Sequence, residues 1–368
     1  MRKMKGRIFI LVAPPPDQPG GVERLVSEMT RLLEVNGYEV QMFHAANSIP
    51  AWLQGAQNLV VRRFSDALIG FYVGREAKRR LADDVVAIIS HGPVGWYPFR
   101  VRTPTKRIHF YHGTYWAVAD AIRPFISFRG YIFLKWWAAM LLENWSGRGK
   151  LLLCNSEQTK EEIVRRFHRE CHTVWLPMDT DHFAPREMTE CRRTLGLPQE
   201  KPIGLFAGSL EPHKGFRVVR ALMESLSDVH WVLLIRGQRP DLDSRPNVTL
   251  LGNVGNAELP LIYGAADFLV CPSRYEPYGY VVAEALACGT PVVASPTGAS
   301  LLFLDAPPLD RLLIASPEDI DAFRRAVLEV LSAREDYRQI VLERIRPRLK
   351  AVMSPDSWWR RVAEVTGL

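Results

Sequence analysis

Short apolar runs of strand length alternate with amphipathic stretches of helix length along this chain, and the rhythm breaks once and restarts. Residues 7–13, 38–43, 85–90, 107–111 and 151–155 read as strands. Between the first two, apolar positions Val22, Leu25, Val26, Met29, Leu32 and Leu33 recur at helical spacing and Gly37 closes the helix. Further helices are expected at 58–82, broken at Gly70 or Gly74, and at 157–167. The stretch Val174-Trp-Leu-Pro-Met-Asp-Thr-Asp-His-Phe-Ala-Pro185 interrupts the pattern as a linker. Strands at 202–207, 230–236, 248–251, 268–271 and 292–295 then interleave with helices at 216–226 and 257–264. Such alternation builds doubly wound parallel sheets, with ligands at the carboxyl ends of the strands. The fold class expected is α/β, with two Rossmann-like domains facing a central cleft. The first spans residues 1–183 and the second 184–353. The terminal segment 354–368, carrying Trp358 and Trp359, is expected to cross back to the first domain.

A chain of 368 residues exceeds the roughly 250–300 that one hydrophobic core serves, which also favours two domains. With 47% hydrophobic and 24% charged residues it belongs with globular proteins, not disordered or membrane-spanning ones. The apolar run at 8–13 stops at three prolines and reads as a buried strand, too short for a secretory signal. No stretch approaches the ~18–20 apolar residues that span a bilayer. The five cysteines have no Cys-x-x-Cys spacing, so neither a disulfide framework nor a zinc site is indicated, and a reducing cytoplasmic setting is expected. Residues 1–178 hold 25 Lys and Arg against 15 Asp and Glu, while residues 179–368 hold 22 against 25. A first half at +10 suits an anionic partner such as a membrane surface, and no nucleic-acid module accompanies it.

The most informative chemistry lies at 271–291, Cys-Pro-Ser-Arg-Tyr-Glu-Pro-Tyr-Gly-Tyr-Val-Val-Ala-Glu-Ala-Leu-Ala-Cys-Gly-Thr-Pro. Glu276 and Glu284 flank the start of a short apolar helix, entered through Pro277 and Gly279. The N–H groups of Tyr278, Gly279 and Tyr280 at its mouth favour an anion, most often phosphate. Phosphate between two hydroxyl-binding carboxylates suits a nucleotide-diphosphate sugar. Earlier, Phe206-Ala-Gly-Ser-Leu-Glu-Pro-His-Lys-Gly215 joins a strand to a helix; Gly208 and Gly215 permit close approach, and Lys214 offers a point charge for phosphate.

Together these segments resemble the retaining GT-B glycosyltransferases of the GT4 family (glycosyl transferases group 1). The resemblance extends to Gly20-Gly21-Val22-Glu23-Arg24, Tyr111-His112-Gly113, Asn155-Ser156-Glu157 with Lys160, and Asp179-Thr-Asp-His-Phe183. It implies that Glu276 contacts the donor sugar and Glu284 the ribose. Lys214 and the mouth at Tyr278, Gly279 and Tyr280 would stabilise the diphosphate, with Gly208 and Ser209 in the adjoining loop. Gly20 and Gly21 would approach the diphosphate and acceptor, and His112 would line the cleft near the sugar. The family needs no metal or other cofactor, and its acceptors are glycans, glycolipids or other molecules. Ser209 stands where the family usually has an arginine, for which Arg217, Arg236 or Arg274 could substitute.

Three Asp-x-Asp triplets, at 179/181, 241/243 and 319/321, invite a metal-dependent GT-A reading, but none follows a buried strand in the first half. His91-Gly92-Pro93 reads as a plain turn. The aromatic stretch 125–145, punctuated by Arg129 and Lys135, reads either as a buried helix or as one lying on a membrane. Two further readings are a non-catalytic nucleotide-sugar-binding or scaffold subunit at a membrane glycan-assembly complex, and a GT-B-fold sugar-nucleotide epimerase.

Overall fold

Apolar runs bounded by turn residues become the inner strands of two parallel sheets, buried on both faces, while the edge strands are shorter or more polar. The computed structural model describes residues 4–15, 20–50, 59–98, 105–235, 242, 245–252 and 254–368. The chain divides into two compact units, Met1–Pro177 with Pro355–Leu368, and Met178–Ser354. The division thus falls at Pro177 and Ser354, where the sequence placed it after Phe183 and Met353.

The first unit carries strands β1 (Gly6–Leu11), β2 (Tyr38–Phe43), β3 (Val85–His91), β4 (Lys106–Tyr111), β5 (Leu151–Cys154) and β6 (His172–Thr173). They run parallel in the order β2-β1-β3-β4-β5-β6. The helix Gly21–Val35 buries Leu25, Val26, Met29, Leu32 and Leu33, the stripe its spacing dictates. The helix Leu59–Arg79 runs unbroken, against the expected break at Gly70 or Gly74. These glycines serve packing instead: a Cβ at Gly70 would come within 2.4 Å of Trp96 Nε1, and one at Gly74 within 2.2 Å of Tyr97 Cβ. One turn apart, they form a flat face for the Gly92–Trp96 turn. The final helix, Pro355–Thr366, belongs to this unit: Trp358 is buried, Trp359 packs on Tyr38, and Lys106 Nζ donates to the Thr366 carbonyl at 2.9 Å.

The second unit carries β7 (Ile203–Ala207), β8 (His230–Leu234), β9 (Val248–Leu251), β10 (Phe268–Cys271) and β11 (Val292–Ala294), parallel in the order β11-β10-β7-β8-β9. Asp267, at the foot of β10, is buried; it accepts from Arg192 at 2.7 Å and from the Ile203 N–H at 2.6 Å, a paired charge inside the core. All five cysteines are buried and free.

Each sheet reverses its strand order once, between β1 and β3 in the first and between β7 and β10 in the second. Ligands of doubly wound sheets bind at the carboxyl ends of the strands beside such a reversal.

Candidate functional site

In the second unit the loops leaving β7 and β10 carry the two segments singled out in the sequence. Pairing of Phe268 with Gly204 and Leu269 with Leu205 sets the strands side by side, which brings together residues some sixty positions apart. The loops are then pinned: the Arg274 N–H donates to the His213 carbonyl at 2.7 Å. Gly215 adopts φ 73°, and a Cβ there would fall 2.1 Å from the Pro272 carbonyl oxygen. Only glycine fits that crossing.

Lys214 follows directly. Its Nζ donates to Glu276 Oε2 at 2.5 Å, with both side chains 23% exposed. Burial pushes the ammonium down, but the charge and hydrogen bond of Glu276 outweigh it, and the pKa ends above the ordinary lysine value. The lysine is therefore a fixed positive charge. Neighbouring His213 is lowered, first by burial and then by Lys214.

Beyond Glu276 the chain enters the helix Tyr280–Ala287 through Gly279, at φ 87°. A second loop closes over this entry: the Ala299 N–H donates to the Tyr278 carbonyl at 2.6 Å. Gly298, at φ 49°, sits so close that a Cβ would meet the Tyr278 oxygen at 2.4 Å. Sequence reading missed this connection at 295–298, which leads into the helix Ala299–Phe303; glycine after proline just past β11 was the available signal. Tyr278 is buried with its ring 4.5 Å from that of Tyr280. Glu284, one turn into the helix, is 2% exposed and accepts from the Tyr263 hydroxyl at 2.8 Å. Gly208 and Ser209 occupy the loop after β7; the Gly208 N–H donates to the Leu234 carbonyl, and the Ser209 hydroxyl to Glu211 at 3.0 Å. Of the arginines considered in place of the missing one, Arg274 pairs with Glu318, Arg217 lies 4.0 Å from the same carboxylate, and Arg236 lies outside the described residues.

In the first unit, Gly20 and Gly21 open the helix after β1. Gly20 is extended, and a Cβ at Gly21 would meet nothing within 4 Å among the described residues, so the backbone itself does not require Gly21. His112 follows β4 and is half-buried; burial lowers its pKa to about 4. Its Nε2 lies 2.8 Å from Nδ1 of His91, a residue taken from sequence as part of a plain turn. The turn is present, but the side chain also pairs with His112. Other motif positions have local duties. Ser156 caps the helix Glu157–Phe167, Asp179 accepts from the N–H groups of Asp181 and His182, and Asp319 caps the helix Ile320–Ser332. The triplet at 241/243 lies outside the described residues.

Two family profiles divide the chain between them. That of the glycosyltransferase family 4 matches residues 19–182, and that of the glycosyl transferases group 1 matches residues 187–344. With a doubly wound sheet in each half, the chain belongs to this family of GT-B glycosyltransferases. Among individual relatives, it is 31% identical over 219 residues to the O-antigen chain mannosyltransferase B of Escherichia coli, a match covering 53% of this chain and 55% of that protein. A D-inositol 3-phosphate glycosyltransferase of Mycolicibacterium gilvum is 32% identical over 163 residues, covering 40% and 37%. The chain thus spans about half or less of the length of the relatives it matches. Among solved structures, the sucrose-phosphate synthase of Thermosynechococcus elongatus aligns with TM-score 0.77 at 20% identity over 98% of both chains, a likeness of fold. Anabaena HepE, solved with UDP-glucose, aligns with TM-score 0.69 at 16% identity over 98% of this chain and 100% of its own.

Proposed function

We propose that this chain is a metal-independent, retaining glycosyltransferase. The second unit would hold a nucleotide-diphosphate sugar, and the first would handle a glycan, glycolipid or other acceptor. The observation that carries this reading is the Lys214–Glu276 pair at the β7/β10 reversal, beside a glycine-entered helix. When the sugar–phosphate bond breaks, negative charge builds on the diphosphate. A fixed ammonium and a helix start stabilise that charge without reorganising. Glu276 then orients sugar hydroxyls, Glu284 the ribose, and Gly20 and Gly21 leave room for phosphate oxygens. The UDP-glucose bound to HepE supports a nucleotide-sugar donor. A thermal-shift panel of UDP, GDP, ADP and TDP sugars tests donor binding, because a ligand of the native state raises its melting temperature. Nucleotide release with and without EDTA over an acceptor panel then tests transfer. Binding without any release points to a scaffold subunit, an epimer formed from donor alone to an epimerase, and complete loss on chelation to a metal-dependent enzyme.

A second reading concerns where the protein works, at the inner face of a membrane. Phe128, Trp136 and Trp145 are 66%, 61% and 57% exposed, beside exposed Arg129 and Arg148. Among the described residues no helix is long and apolar enough to cross a bilayer, so attachment would be peripheral.

A further inference from the structure

Two histidines meet at the ligand-binding edge of the first sheet. His91 ends β3, one of the two strands flanking the order reversal, and His112 leaves neighbouring β4. The register pairs His91 with Phe110, so His112, two residues on, returns to the same face. The three rings lie nearly parallel, at 8° to 19°, with centroids 5.1 to 5.8 Å apart. His91 Nδ1 and His112 Nε2 are 2.8 Å apart, and one proton must lie between them. Burial lowers both imidazoles, His91 well below the usual range, so both are neutral near pH 7.

Two arrangements of protons are open to a neutral pair. If His112 donates, His91 must carry its own proton on Nε2. That nitrogen is buried without a partner among the described residues, and an orphaned buried N–H is the rarer and costlier defect. If His91 donates, its Nε2 keeps only a bare lone pair. His112 then carries its proton on Nδ1, the nitrogen not engaged by His91. We propose that His91 is a positioning residue that fixes His112 in its Nδ1–H form, so that His112 offers a hydrogen-bond donor, not a base, to an oxygen of the bound sugar. A neutral histidine side chain in water prefers the opposite form, Nε2–H, so the pairing with His91 imposes this one. The proposal rests on the reading that His112 faces the substrate.

Histidine-selective ¹⁵N labelling of the full chain, with long-range proton–nitrogen correlation near neutral pH, reads the proton directly; His112→Asn assigns the signals. The expected wild-type pattern is a protonated Nδ1 and a bare Nε2 on His112. His91→Leu should move His112 toward Nε2–H and raise the KM for the donor sugar about tenfold, the effect of one misdirected hydrogen bond, with a smaller change in kcat. His91→Asn, whose amide can donate from the same place, should restore the Nδ1–H pattern and guards against misfolding of the leucine variant. A wild-type His112 protonated on Nε2 overturns the proposal, as does an unchanged spectrum in His91→Leu. Wild-type transfer by His112→Ala would instead overturn the contact with substrate while the tautomer result stood, so the two failures are separable.

Discussion

Lys214 carries a buried-side charge that its surroundings alone would disfavour, and Glu276 keeps it charged. Because both side chains retain exposure, the pair contributes about 1 kcal/mol or less to folding. Lys214→Ala and Glu276→Ala should therefore each leave the melting temperature nearly unchanged. Each should cut turnover at least about 100-fold: Lys214→Ala removes a fixed cation from the developing anion, and Glu276→Ala releases both that cation and the sugar hydroxyls it orients. Steady-state nucleotide release checks both, and near-normal rates in either variant would remove this site from the reaction. The histidines add a pH dependence. His112 is lowered from the ordinary 6.5 to about 4 by burial, and His91 is also held well below the ordinary value, by burial and then by His112. A depressed pKa means that the folded state favours the neutral form. That stabilisation is complete above about pH 6.5 and is lost as pH falls toward 4. Melting temperatures across this window should decline for the wild type, and less steeply for a His91→Asn, His112→Asn double variant. Equal slopes would show that these rings do not titrate with unfolding.

At the scale of elements, two glycines in loops of similar appearance have opposite physical reasons. Gly215 is required by the fold: its positive φ and the 2.1 Å approach of a Cβ to Pro272 oxygen leave no room. Gly215→Ala should cost about 2 kcal/mol or more, from the left-handed backbone and the clash, and should displace Lys214 as well. Gly21 heads a helix, and a Cβ there meets nothing within 4 Å among the described residues, so Gly21→Ala should stabilise by about 0.4–1 kcal/mol. It should nevertheless slow transfer, if the space belongs to a phosphate. Denaturant melts with activity assays on both variants separate the cases; a Gly21→Ala enzyme of full activity would leave that glycine without a ligand role. This contrast marks what was legible in sequence. Strand runs and the helix stripe from Leu25 to Leu33 follow from local periodicity, and so did the order of elements. That Lys214 and Glu276 serve one site was implied by the family resemblance, but their direct pairing was not read, because the strand register that causes it is non-local. His91 gave no local sign, because its partner comes from the next strand. Gly70 and Gly74 looked like helix breakers because propensity takes no account of Trp96 and Tyr97 packed on that face.

For the molecule as a whole, the first half's charge of +10 and its aromatic surface point the same way. From Phe128 the chain runs through the helix Phe128–Ile132 into the π-wound segment Phe133–Glu143. The exposed Phe128, Ile132, Trp136, Leu141 and Trp145 are four or five residues apart. Trp136 and Leu141, five residues apart, lie within the π-wound segment, where i→i+5 hydrogen bonds bring such a pair closer to one face than an ordinary helix would. Arg123 lies over Phe128 and Arg148 over Trp145, each at 6.0 Å from the ring centroid, which sets cations at the rim of the apolar stripe. Transfer of these rings to a lipid interface contributes a few kcal/mol, and each arginine near an anionic surface about 1 kcal/mol. Binding of that size is reversible and salt-sensitive. The full chain should float with vesicles rich in anionic lipid at low salt, and float less at high salt or with neutral vesicles. A Trp136→Ser, Trp145→Ser double variant should lose about tenfold in vesicle affinity with an unchanged melting temperature, since both rings are already exposed in the folded chain. Absence of flotation at low and high salt alike would mean that the aromatic stripe serves something other than a membrane.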